Sequence, residues 1–146
     1  MKKDYLNPKA LFRSPHFTHT VAVTGAEKLV YVSGQVSYDK SGHVVARGDM
    51  RAQAEQVFES LTHNLKAAGA QWSDVVKLNG YLVKMNHESV NLYREVRSRY
   101  LDPKRMPAST LVGVKRLVHE DLLLEVEVIA MVAASEAPKK AKKKKP

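Results

Sequence analysis

The chain has 146 residues, 44% of them hydrophobic and 27% charged, enough for one domain with a proper core and too few for two. It contains no cysteine, which excludes disulfides, cysteine-ligated zinc, iron–sulfur clusters and thiol nucleophiles. The formal net charge of +9 is unevenly spread: residues 135–146 hold six lysines and one glutamate, a net +5, leaving +4 for everything else. The charge argument for nucleic acid therefore rests on the tail rather than on a basic domain. No apolar run approaches the roughly 20 residues of a membrane span, and the basic start lacks the apolar stretch of a secretory signal. A cytoplasmic protein with no membrane partner is the expectation.

In chain order, residues 1–16 are polar, with two prolines and no sustained period, and read as an arm or a first short strand. Residues 17–23 (FTHTVAV) alternate as a strand does. Residues 29–37 (LVYVSGQVS) form a second strand, rich in β-branched and aromatic side chains. Gly34 within it marks a bulge or a place where backbone or ligand comes close. A turn cluster over 38–42 precedes a short return strand at 43–46. Asp49 is placed to cap a helix in which Met50, Ala54, Val57, Phe58, Leu61, Leu65 and Ala68 form one apolar stripe. Gly69 supplies its stop.

A third long strand spans 75–85. Asn86 or Ser89 then caps a second helix that places Val90, Tyr93, Val96 and Tyr100 on one side, and Asp102-Pro103 ends it. Residues 108–117 and 122–133 read as two adjacent strands joined by a polar turn at His119-Glu120-Asp121. In the last of these, Glu125 and Glu127 share a face with Leu123, Ile129 and Met131, opposite Leu124, Val126, Val128 and Ala130.

This order predicts an α+β fold, a mixed sheet with both helices on one face. Several strands are apolar on both sides, which one helical layer cannot cover, so association through the bare sheet face is expected. The domain is read as 17–134, with a disordered lysine-rich tail over 135–146. The tract at 139–145 would bind polyanions weakly and non-specifically. The six histidines show no ligand spacing, so no metal site is expected, and no phosphate loop or other cofactor motif occurs.

YVSGQVS at 31–37, AQAEQVFESLTHNLKAAGA at 52–70, DVVKLNGYLVKM at 74–85, PASTLVGV at 107–114 and LLEVEVIAMVA at 123–133 together resemble the RidA/YjgF, or endoribonuclease L-PSP-like, family. The resemblance implies a chorismate-mutase-like fold, assembled as a homotrimer around a central β-barrel, with small-molecule clefts between subunits. It also implies hydrolytic deamination of 2-imino acids such as 2-iminobutanoate and 2-iminopropanoate, without a cofactor. Other members are ribonucleases or translation inhibitors, or bind ligands with no known reaction.

The deaminating branch carries P-A-R-S, whose arginine grips the substrate carboxylate. This chain has Pro107-Ala108-Ser109-Thr110, so Ser109 stands at the arginine's position. Losing that bidentate contact would forfeit roughly 2–5 kcal/mol of binding, which argues against the standard activity. Arg105 is ~13 Å of strand away and Arg116 farther, so neither is expected to replace it, and a neutral or cationic ligand is predicted. By the same resemblance Glu125 orients the attacking water, Phe17 replaces a tyrosine, Ser33 and Gly34 line the cleft, and Asn91 reaches it from the second helix. Glu127 is assigned to structure. Three functions follow: a hydrolase of imine- or enamine-like metabolites with altered substrate choice, a non-catalytic ligand-binding trimer, or an RNA-directed protein.

Overall fold

The computed structural model describes residues 1–134, and the predicted lysine tail lies outside them. The elements are β1 (Lys2–Leu6), β2 (Thr20–Thr24), β3 (Lys28–Gln35), α1 (Met50–Ala67), β4 (Val75–Val83), α2 (His87–Ser98), β5 (Ala108–Val114) and β6 (Leu124–Val132). One 3₁₀ turn, Trp72–Asp74, leads into β4. The strands form a two-stranded sheet, β1-β2, and a four-stranded mixed sheet in the order β3-β6-β4-β5. The expected α+β class, with a mixed sheet and two helices, is what the chain adopts.

Helix α1 begins and ends where its sequence dictates. The Asp49 carboxylate accepts a hydrogen bond from Ala52 N at 3.0 Å, and Gly69 takes φ +66° just past the end. Its stripe of Ala54, Val57, Phe58, Leu61 and Leu65 is buried against Leu124, Val126, Val128 and Ala130 of β6 and against Val30 and Val32 of β3. Helix α2 is capped by Asn86, with Ser89 returning the bond to the Asn86 N–H. It adds Tyr93 and Val96 to the same core, and Phe58, Trp72 and Tyr100 form a mutually contacting aromatic cluster. Arg51 crosses between the helices to grip Glu95 with two bonds of 2.7 and 2.8 Å.

Three expectations need correction. The two strands at 108–117 and 122–133 do not pair with one another. β4 lies between them, bonded in parallel to β5 and antiparallel to β6. The unit β4-α2-β5 is a helical crossover joining parallel strands, so residues 115–123 span the end of β4 instead of making a hairpin. The strand expected over 17–23 starts only at Thr20. Phe17 and Thr18 form a loop docked on β5 by Thr18 N donating to Pro107 O at 3.2 Å. The short return strand at 43–46 is reduced to one bridge, Tyr38 with Val44, because the Asp39 carboxylate closes the turn on the Ser41 and His43 N–H groups.

Among the described residues, nothing covers the opposite sheet face. It carries Leu29, Tyr31, Tyr81, Val112, Ile129 and Met131 around the two glutamates, and Tyr31 is 73% exposed. A two-sided apolar sheet with one helical layer is the arrangement that the strand composition predicts.

Candidate functional site

The residues singled out from sequence fall into two groups on opposite faces of the four-stranded sheet. The first surrounds Glu125. Strand alternation alone aims this carboxylate away from the helices, since Leu124 and Val126 on either side are fully buried under α1. Beside it, β3 breaks register: three steps from Val32 to Gln35 match two from Val128 to Val126 on β6, so one extra residue is accommodated at Ser33-Gly34. A Cβ on Gly34 would lie 1.8 Å from Glu125 Oε1 and 2.7 Å from its Cδ. Only glycine leaves room for the carboxylate to rest on the backbone in this position.

Glu125, Gly34, Gln35, Val36, Tyr38 and Val118 line a cavity of about 480 Å³, with Ser33 exposed next to it. Burial, and secondarily the charge of Glu127, pushes the Glu125 carboxyl above the ordinary glutamate range. Glu125 makes no hydrogen bond or ion pair among the described residues. Glu127 differs. Its Oε1 accepts from Asn79 Nδ2 at 2.8 Å and from Tyr81 OH at 3.0 Å, so its charge is held within the sheet.

The approach to Glu125 is set by a residue that the sequence reading passed over. Gln53 is fully buried on α1, accepts from Leu123 N at 2.8 Å and donates to Asp121 O at 2.8 Å. It fixes the entry of β6 two residues before the carboxylate. Its spacing gave a signal, one position ahead of Ala54 on the buried side of the stripe, but glutamine is ordinarily read as solvated.

The second group surrounds Ser109. This residue pairs with Leu78, which is wholly buried on the helix side, so Ser109 and Leu111 face α2. Ser109, Leu111, His16, Phe17, Met85, Val90, Tyr93, Arg94 and Arg97 enclose a cavity of about 240 Å³. Phe17 is held by an edge contact with His19, ring centroids 5.2 Å apart. Asn91 is exposed on α2 and does not line this cavity; the helix contributes its other side.

Arg105 and Arg116 are not among the lining residues, but the cavity is not without cations. Arg97 lies one turn beyond Tyr93 and is only 4% exposed. Its Nη2 donates to His16 O at 2.8 Å, while its guanidinium carbon stands 5.4 Å from the centroid of the Tyr93 ring. Its Nε and the Tyr93 hydroxyl are buried without partners among the described residues. Burial raises the Tyr93 pKa to about 12, so the hydroxyl stays protonated. Burial, with Arg94 and Arg97 nearby, holds His16 below its usual value and therefore uncharged at neutral pH.

Comparison with known proteins agrees with this architecture. The family model described as endoribonuclease L-PSP matches residues 9–132. A RutC family protein of Pyrococcus horikoshii is 34% identical over 105 residues, covering 72% of this chain and 80% of its own. The 3-aminoacrylate deaminase RutC of Acinetobacter baylyi is 32% identical over 133 residues, covering 90% of this chain and all of its own. Among solved structures, a Rid-family protein of unknown function from Yersinia pestis superposes with a TM-score of 0.77 at 29% identity, over 90% of this chain and all of the other. The RidA of an Antarctic Psychrobacter gives 0.62 at 32% identity, over 80% and 88%. The chain belongs to the endoribonuclease L-PSP family, the Rid/YjgF proteins.

Proposed function

We propose that this protein is a Rid-family hydrolase of small imine- or enamine-like compounds, acting at clefts between subunits of a homotrimer whose open sheet faces close into a central barrel. The observation that carries the reading is the Glu125 carboxylate, partly desolvated, without a hydrogen-bond or ion-pair partner among the described residues and seated on Gly34 at a cavity. A carboxylate in that setting is suited to hold a water and take its proton. The water oxygen adds to the imine carbon while the nitrogen gains a proton. The resulting carbinolamine expels ammonia as its hydroxyl becomes the carbonyl, so imine plus water gives ketone plus ammonia.

The separation of the two groups supports this assembly. Glu125 and Ser109 lie on opposite faces of one sheet, so no ligand touches both in a single chain. A second copy laid against the open face would bring its own Ser109 edge toward Glu125 and cover Tyr31 and Leu29. The deaminase named among the relatives supports the reaction class. Serine at position 109 is proposed to alter substrate choice, since a hydroxyl offers neither a charge nor the planar fork of an arginine.

Ammonia release from imines generated in place by an amino-acid oxidase, with semicarbazide as the competing trap, tests the proposal. Faster ammonia release and less trapped semicarbazone are expected with the wild-type chain. No acceleration across a panel of imines would leave a ligand-binding trimer without this chemistry.

A further inference from the structure

We infer that a further cavity, walled by β1, the loop that follows it and the segment between α2 and β5, is a binding site for the phosphate group of a small ligand. It is separate from the cavity beside Ser109, with which it shares only Phe17, and its occupancy does not depend on the hydrolase reading.

The cavity measures about 450 Å³ and takes its charge from Arg13 of the loop and Lys104 of the segment before β5. Neither side chain makes an ion pair or hydrogen bond among the described residues, and no carboxylate lines the cavity. The Asp102 carboxylate is occupied by the Lys104 N–H at 2.9 Å and is not part of the wall.

The polar groups around these two cations are left as donors. Asn7 Oδ1 accepts from His19 N and Ser14 Oγ accepts from His16 N, both at 3.1 Å. The Asn7 carbonyl is thereby turned to loop backbone, leaving its amide N–H groups, and the Ser14 hydroxyl keeps its proton free to donate. Burial pushes the Tyr5 pKa up, so its hydroxyl also stays protonated.

Thr18 is the buried member of the set. It is only 5% exposed, lines the cavity and makes no side-chain hydrogen bond among the described residues. Its oxygen is not one of the partnerless atoms sealed from the surface, so the little exposure it keeps is toward the cavity. Buried hydroxyls are ordinarily bonded, and an oxygen of a ligand would satisfy this one.

Two unpaired cations and a ring of donors suit a phosphate better than a carboxylate. A phosphomonoester carries about −1.5 to −2 charge at neutral pH and three strong acceptor oxygens, whereas a carboxylate offers one charge and two oxygens. Phe17 and Met106 add apolar wall against which a short organic body can lie.

Isothermal titration of the full-length protein with phenyl phosphate, inorganic phosphate and phenol, at constant chloride concentration, tests the site. Phenyl phosphate should bind saturably, one per chain, and phenol should not bind measurably. Arg13→Met and Lys104→Met, both at exposed positions that leave the core intact, should each weaken phenyl phosphate about tenfold to hundredfold. Thr18→Val should weaken it about threefold to tenfold. Tighter binding of phenyl phosphate than of inorganic phosphate assigns the ligand to an ester, and equal binding assigns it to free phosphate; both support the site. The lysine-rich tail is unchanged in every variant. Phosphate affinity untouched in the double variant Arg13→Met/Lys104→Met would place the binding on that tail and overturn the assignment. Absence of saturable phosphate binding by the wild type would overturn it as well.

Discussion

The Glu125 cluster and the Ser109 cluster are built by different means. The first is a product of strand geometry: period-two alternation aims the carboxylate, one extra residue in β3 opens room beside it, and a glycine accepts its contact. The second is a product of docking, where a loop at His16-Phe17, the edge of β5 and the inner side of α2 meet. The partnerless carboxylate sits on the open face of the sheet, while positive charge sits where elements distant in sequence pack together. A reaction needing a fixed proton acceptor and an adjustable substrate grip can thus vary the second without disturbing the first.

Removing the carboxylate should give the largest effect. Glu125→Gln is expected to lower imine turnover by about 10²–10⁴-fold with the fold intact, measured by ammonia release and far-ultraviolet circular dichroism. The same variant should melt higher than the wild type at neutral pH. A carboxyl whose pKa is raised in the folded state contributes stability below its unfolded value and loses it as pH rises through the folded one. The gain should vanish on acidification below the ordinary glutamate range. Wild-type turnover should fall as pH drops through the raised Glu125 pKa, leaving an acid limb above that of a free glutamate.

Gly34→Ala probes the same cluster by displacement. The added methyl carbon meets the flexible end of Glu125, so the chain should fold while the carboxylate is pushed aside and turnover drops by about 10²-fold. Turnover at the wild-type rate, with Glu125 unmoved in a structure of the variant, would separate the glycine from the chemistry.

Gln53→Ala leaves Leu123 N and Asp121 O without their partner and should cost about 2–3 kcal/mol in urea unfolding. It should affect turnover beyond stability, because β6 enters the sheet through that contact. Tyr81→Phe should do least. Glu127 keeps its bond from Asn79, so a stability loss of about 1 kcal/mol and turnover within a factor of about two are expected. A large loss of turnover there would give Glu127 a part in the reaction that this account denies it.

The strand-built cluster was largely legible in the sequence and the docked one was not. The Asp49 cap, the Gly69 stop, the irregularity at Gly34 and the alternation around Glu125 are local, and local spacing carries them. The pairing of β5 and β6 with β4 between them is not local, since two neighbouring strands with a polar turn are compatible with a hairpin or with a crossover. Arg97 was hidden for a different reason. It occurs at the i+4 position from Tyr93, on the buried stripe of α2, but a charged residue on an amphipathic helix is by default assigned to water. Gln53 was lost the same way. In each case burial depends on what docks against the helix, which spacing alone does not reveal.

In the proposed trimer, one working site takes Glu125 from one chain and the Ser109 cavity from another. Mixing two inactive proteins tests it most directly: Glu125→Gln, and Ser109→Trp, which fills the cavity. After subunit exchange, verified by native mass spectrometry, random assembly of equal amounts into trimers gives about one interface in four with both wild-type groups. Imine turnover should recover to about a quarter of the wild-type level. Mixed trimers no more active than the two parents would contradict it.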